Sequence, residues 1–177
     1  MADTPTPPTM TAPELLRFAA HGWVPNNPAL PVLLYRDVLG AAAGDRAADF
    51  EALFQRHGWA PQWRDGLYDY HHYHSTAHEA LGCARGAAQV LLGGPGGVER
   101  RIAAGDVLVL PAGTGHRLLV GSADFLLVGA YPTGQDFDIC RAAASPEALA
   151  RIQALPCPAS DPVGGPAGAL PRLWAPG

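Results

Sequence analysis

The chain has 177 residues, 48% of them hydrophobic, a mean hydropathy of +0.03 and a formal charge of −4. That is the size and balance of one soluble domain with a proper core, and no apolar run approaches the roughly 18–20 residues of a membrane span. All 12 basic residues are arginines, scattered except for Arg100 and Arg101, so no electrostatic footprint for nucleic acid is present and Schiff-base chemistry, which needs a lysine, is excluded.

Residues 1–13 are rich in proline and threonine and are expected to form a disordered tail. The tail has neither a basic start nor an apolar stretch, so it does not read as a signal peptide, and a cytoplasmic location is expected. Cys83, Cys140 and Cys157 lie far apart and form no C-x-x-C, which fits reduced thiols. Residues 14–157 are expected to form the single domain. It opens with an extended arm, a Pro/Asn-rich turn and an apolar strand at Val32–Tyr35. Phe50, Leu53, Phe54 and His57 then recur at helical spacing across 45–57, with Asp45 as N-cap and Gly58 as the stop.

From Trp63 to Tyr131 short Tyr-, Val- and Leu-rich segments alternate with glycine turns at 93–97, 103–106, 112–115 and 121–124, the pattern of an all-β sandwich or barrel. A second helix follows, capped by Ser145 and opened by Pro146. Residues 158–177, rich in proline and glycine, are expected to wrap the surface as an irregular arm or to fray.

Five of the seven histidines, His71, His72, His74, His78 and His116, fall between 71 and 116, a density that marks metal sites. If Tyr68–His74 is a strand, alternation puts Tyr68, Tyr70, His72 and His74 on one face and His71 on the barrel exterior. His72 and His74 then address one metal, Glu79 begins the next strand, and His116 follows the turn Pro111–Gly115. Three imidazoles and a carboxylate suit one divalent transition metal (Fe, Ni, Mn, Zn or Co) with coordination positions left open. Tyr70, on the ligand face, is the candidate catalytic side chain; it either hydrogen-bonds a metal-bound water or substrate or packs on the barrel wall. Leu118 and Val120 share a face with His116 and suggest an apolar pocket floor. Cys83, on the Glu79 face, reads as a small core residue. The loop Gly134–Asp138, with Gln135, Asp136 and Asp138, either reaches the pocket mouth or only turns the chain.

The spacing is more specific than the composition. From Gly66 the chain reads G-x5-H-x-H-x4-E-x6-G, ending on Gly86, and from Gly105 it reads G-x5-P-x-G-x2-H. These resemble the two motifs of the cupin superfamily, departing only where Val120 stands in place of a frequent asparagine. The segments "VPNNPALPVLLY", "YDYHHYHSTAHEALG" and "GAYPTGQDFD" further resemble the YjlB-like proteins, a bacterial subfamily of stand-alone cupins. The resemblance implies an all-β, double-stranded β-helix (jelly-roll barrel) of six to eight strands with flanking short helices. The motif spacing selects His72, His74, Glu79 and His116 as ligands, whereas a bulge in "STAHE" would turn His78 inward instead of Glu79. The expected function is a metal-dependent oxygenase, isomerase or lyase acting on a small molecule. The other readings are a non-catalytic sensor of a small ligand or metal, and a sugar-binding or sugar-isomerising cupin. A homodimer joined through the proline-rich arm at 23–31 and the C-terminal arm is also expected.

Overall fold

The computed structural model of the chain describes residues 11–40 and 44–176. Most of the tail expected to be disordered lies outside the described residues. Nine strands and three helices follow in chain order: β1 (Glu14–Leu16), β2 (Val32–Tyr35), α1 (Arg46–Arg56), β3 (Trp59–Asp65), β4 (Glu79–Arg85), β5 (Ala87–Leu92), β6 (Val98–Ala103), β7 (Val107–Leu110), β8 (His116–Gly121), β9 (Leu126–Pro132), α2 (Pro146–Ala154) and α3 (Ala169–Leu173). They form a six-stranded sheet ordered β1-β2-β7-β4-β9-β3 and a three-stranded sheet ordered β6-β5-β8, with every pairing antiparallel. This is the expected jelly roll, with β1 the addition the sequence showed only as an extended arm. None of the described helices is long and apolar enough to cross a membrane.

The larger sheet is buried on both faces at its centre, which explains why β2 and β7 are apolar at every position. Val32, Leu34, Leu81, Cys83, Leu108 and Leu127 face inward against Val90, Leu92 and Ile102 of the smaller sheet. Leu33, Tyr35, Ala80, Val107, Val109, Val128 and Ala130 face outward under Phe50 and Phe54 of α1. Each such phenylalanine contributes about 1.5–3 kcal/mol through the area it removes from water. The helix starts where expected, since the Asp45 side chain accepts a hydrogen bond from the Ala47 N–H at 3.1 Å. Ser145 caps α2 in the same manner, accepting from the Ala148 N–H at 3.1 Å.

The C-terminal segment departs from expectation. Instead of wrapping the surface, it completes the outer layer: Val163, Leu170 and Trp174 are buried in the same cluster as Phe50 and Trp59. Asp161, 0% exposed, is the hub of this closure. It accepts hydrogen bonds from the Tyr35 hydroxyl and from the N–H groups of Val163 (2.7 Å), Gly164 (3.0 Å) and Leu170 (2.9 Å). The Trp59 and Trp174 indoles donate to Ser160 O and Pro31 O, each at 2.9 Å. Proline and glycine concealed the role, because the segment is shaped by turns around one carboxylate and not by a periodic apolar face. Asp161→Ala strands four buried donors and should lower stability by about 3 kcal/mol or more. Urea denaturation checks this; a midpoint shift worth under ~1 kcal/mol would show that water replaces the carboxylate.

Candidate metal centre

The histidine segment is not a ladder strand. Residues 66–71 are irregular, with a bend at Asp69–Tyr70, and pairing survives only as single bridges, His72 to His116 and Tyr73 to Cys140. The His72 and His116 main chains exchange hydrogen bonds at 3.3 and 2.9 Å, and His74 O accepts from the Gly113 N–H at 2.7 Å. Gly113, at φ +91°, is required there, because a Cβ would lie 2.5 Å from Asn26 O. The local alternation is retained: His72 and His74 point inward, while Tyr73 packs outward with Ala112 and Ile152.

The ligating nitrogens of His72, His74 and His116 lie within 4.8 Å of one another, and all three residues are buried. Each ring is held the same way. His72 Nδ1 meets Tyr70 O at 3.1 Å, His116 Nδ1 meets Thr114 O at 3.0 Å, and His74 Nδ1 meets Asp138 O. A carbonyl oxygen only accepts, so each Nδ1 carries the proton, and in a neutral ring the lone pair resides on Nε2. Three such nitrogens directed at one point, each oriented from behind, are what a transition metal requires.

Glu79, 2% exposed, stands beside them. Its Oε2 lies 3.1 Å from His74 Nε2 and 3.2 Å from His116 Nε2, and its Oε1 accepts from the Tyr131 hydroxyl at 2.8 Å. The His116 contact lacks hydrogen-bond alignment, leaving that buried Nε2 without a protein partner among the described residues. A buried carboxylate next to an unpartnered imidazole nitrogen fits a cation well. The titration behaviour follows from the same geometry. Burial, then the neighbouring His116, pushes His72 down to about 3, so it is a neutral donor at physiological pH. Burial opposes a charge on His74, but the Glu79 carboxylate outweighs it and raises that pKa. Burial likewise opposes charge on Glu79, yet His74 and His116 hold it well below the usual carboxylate range.

Strand alternation places His78 on the outer face of the sheet. Its Nδ1 accepts from the Ala112 N–H at 2.9 Å and its ring lies against Trp174, 4.8 Å between centroids. The turn before β4 therefore presents Glu79, and not His78, to the histidine cluster.

The cluster forms the base of a cavity of about 350 Å3 lined by Trp63, Asp65, Gly66, Leu67, Tyr68, Tyr131, Phe137 and Ile139 besides His72, His74 and Glu79. Tyr70 does not line it; its ring stacks on Tyr68 at 4.7 Å and meets His72 at 5.7 Å and 68°, with the Arg141 guanidinium 3.6 Å above. Leu118 and Val120 do not form its floor either. β8 carries a bulge, with Leu118 opposite Val90 but Val120 opposite Gln89, so Val120 turns outward and is 62% exposed. Cys83 is a buried core residue, as expected.

The side chains that composition and spacing did not single out come from β3 and β9. The β4–β9 register, Ala80 opposite Ala130, brings Tyr131 beside Glu79. Gln62 is an extra residue in β3, since Pro61 pairs with Ala130 and Trp63 with Gly129. That bulge moves Trp63 to the inner face, where its indole donates to the Tyr131 hydroxyl at 2.9 Å. Gly129 permits the approach; a Cβ there would lie 2.0 Å from the Trp63 ring. The loop after β9 does reach the mouth through Phe137. It also clasps the histidine turn: Asp138 accepts from the Ser75 N–H at 2.6 Å and Gln135 from the His78 N–H at 3.1 Å.

A jelly roll with three buried imidazoles converging at one end of its interior is a cupin-like fold with a site able to hold one metal ion. Within that class the chain belongs to the YjlB family: it is 36% identical over 162 residues to uncharacterized protein YjlB of Bacillus subtilis (strain 168), covering 89% of this chain and 93% of that protein. No protein-family profile matches it. Among solved structures it is similar to the 7S globulin of Momordica charantia, at 23% identity and a TM-score of 0.38 over 64% of this chain, spanning only 32% of the globulin. It is also similar to the dTDP-6-deoxy-D-glucose-3,5-epimerase RmlC of Legionella pneumophila Philadelphia 1, at 16% identity and a TM-score of 0.32, covering 76% of this chain and 74% of that one.

Tyr131→Phe removes the hydroxyl that orients Glu79 and accepts from Trp63. It should weaken metal affinity by about 10–100-fold, the usual effect of losing a partner that orients a ligand. Competition against a chromogenic chelator measures this, and equal affinities would show that Glu79 needs no such support.

Proposed function

We propose that the protein is a metal-dependent enzyme that holds one divalent transition metal on His72, His74, His116 and Glu79 and acts on a small molecule admitted to the cavity. The observation that carries this reading is the common orientation of the three imidazoles. Each has Nδ1 against a backbone carbonyl, so that three Nε2 atoms converge beside a buried carboxylate. When bound, the metal supplies a Lewis acid with coordination positions open to substrate. Fe, Ni, Mn, Zn and Co all suit three nitrogens and one oxygen, and the reaction falls among oxygenase, isomerase and lyase chemistries.

The chain's own residues divide the remaining work. Burial and the adjacent Glu79 raise the Tyr131 pKa far above its ordinary value, so Tyr131 stays protonated and keeps Glu79 Oε1 engaged. Glu79 Oε2 is left to face the histidines. Phe137, Ile139 and Leu67 narrow the mouth and limit water. Tyr131 thereby replaces Tyr70 as the tyrosine that faces the reacting space.

Elemental analysis of the purified protein should find about one divalent metal per chain. His72→Ala, His74→Ala, His116→Ala and Glu79→Ala should each lose most of it, and His71→Ala should retain it. Oxygen-uptake, isomerase and lyase screens on the loaded protein, with His116→Ala as the blank, then distinguish turnover from binding alone. A protein that takes up none of the five metals would overturn the reading.

A further inference from the structure

Resting on the metal-site reading above, we propose that the cavity takes a planar aromatic molecule, uncharged or singly charged, and not a phosphorylated or sugar substrate. The walls above the histidines carry six aromatic or aliphatic side chains, Trp63, Leu67, Tyr68, Tyr131, Phe137 and Ile139, and one carboxylate, Asp65. Phe137 stacks on Tyr131 with centroids 4.4 Å apart and planes 15° from parallel. The same ring meets His74 edge-on at 5.6 Å and 79°, and Tyr68 meets His72 edge-on at 5.4 Å and 82°. These rings thus form a continuous π surface from the mouth down to the ligand nitrogens. Trp63 is locked into it by its hydrogen bond to Tyr131 and by the space that Gly129 leaves.

The mouth is apolar where an unliganded surface is ordinarily polar. Tyr68 is 49%, Phe137 38% and Ile139 42% exposed, and all three border the same opening. Apolar side chains gathered at a concave opening mark a ligand surface. The charge pattern narrows the ligand further. The only ionisable side chains of the lining besides the histidines and tyrosines are the carboxylates Asp65 and Glu79, and no arginine among the described residues lines the cavity. A phosphate dianion would meet two carboxylates and no side-chain cation, with the metal as the sole attraction. A sugar would face mostly ring faces and aliphatic carbon, with Asp65 and the Tyr68 hydroxyl as its few side-chain partners above the histidines, and each hydroxyl left unpaired carries a cost. An aromatic body carrying one or two oxygen donors satisfies both ends: the ring lies on Phe137 and Trp63, and the oxygens face the metal position. A volume of about 350 Å3 accommodates a single- or double-ring molecule.

The test uses full-length, metal-loaded protein with metal content measured in parallel, titrated with 4-nitrocatechol, oxalate and glucose 6-phosphate. 4-Nitrocatechol should bind, and Phe137→Ala, with metal content unchanged, should weaken it about tenfold through loss of the stacking surface. Oxalate, which can reach a metal without an apolar body, should bind wild type and Phe137→Ala alike. Ile139→Arg, a surface change at the mouth, should weaken 4-nitrocatechol and strengthen glucose 6-phosphate. Full metal content with equal 4-nitrocatechol affinity in wild type and Phe137→Ala would overturn the aromatic assignment and leave the metal site standing. Tighter binding of glucose 6-phosphate than of 4-nitrocatechol by wild type would do the same. Failure to take up metal would overturn both.

Discussion

A carboxylate shut away from water must be met by donors or by a cation, and the interior of this barrel is arranged around that requirement at Glu79. Its two oxygens are engaged from opposite sides, Oε1 by a tyrosine hydroxyl on the neighbouring strand and Oε2 by the His74 imidazole, with His116 Nε2, unpartnered among the described residues, 3.2 Å away. Left unmatched, such a charge would cost several kcal/mol and the group would take up a proton instead. Around it the structure offers the Tyr131 proton and a convergence of imidazole nitrogens that suits a divalent ion. The same geometry that stabilises the anion therefore defines the chemistry of the site.

The orientation of the three imidazoles depends on main chain and not on other side chains. Tyr70 O, Thr114 O and Asp138 O are supplied by three separate stretches, and each is placed by the local course of the backbone. The turn at Pro111–Gly115 and the loop after β9 thus do the positioning that polar side chains do in other metal sites. Asp138 contributes twice, its carbonyl to His74 and its carboxylate to Ser75. The histidine turn is held in this way although it belongs to no extended ladder.

How much of this was legible in the sequence follows from the range of the interactions involved. His72, His74, Glu79 and His116 stand in local frames of glycine and proline, where spacing alone predicts which side chains share a face, and the structure gathers these four. The helices at Asp45 and Ser145 were legible for the same reason, because a cap and an apolar repeat are local signals. Trp63, Tyr131 and Phe137 were not, since their positions depend on which strands lie adjacent and on one extra residue, Gln62, that reverses the alternation of β3. The bulge in β8 did likewise to Val120, and the bend at Asp69–Tyr70 leaves Tyr70 packed on Tyr68 and His72 and outside the cavity lining. Each departure is a break in period two, which no single-sequence pattern announces. The C-terminal segment escaped for a related reason: its apolar residues are spread among turns, and their convergence is visible only around Asp161.

That closure also bears on how the molecule is made. Synthesis proceeds from the N-terminus, so Tyr35 and the outer faces of β2 and β7 leave the ribosome long before Asp161, Leu170 and Trp174 exist to cover them. The candidate metal ligands precede the seal as well, the last of them, His116, opening β8. A nascent chain at that stage exposes a sheet face of leucine and valine with an unsatisfied tyrosine hydroxyl at its edge. A chain cut short before Asp161 would therefore keep every candidate metal ligand while leaving the Tyr35 hydroxyl without its carboxylate and the outer cluster without Val163, Leu170 and Trp174.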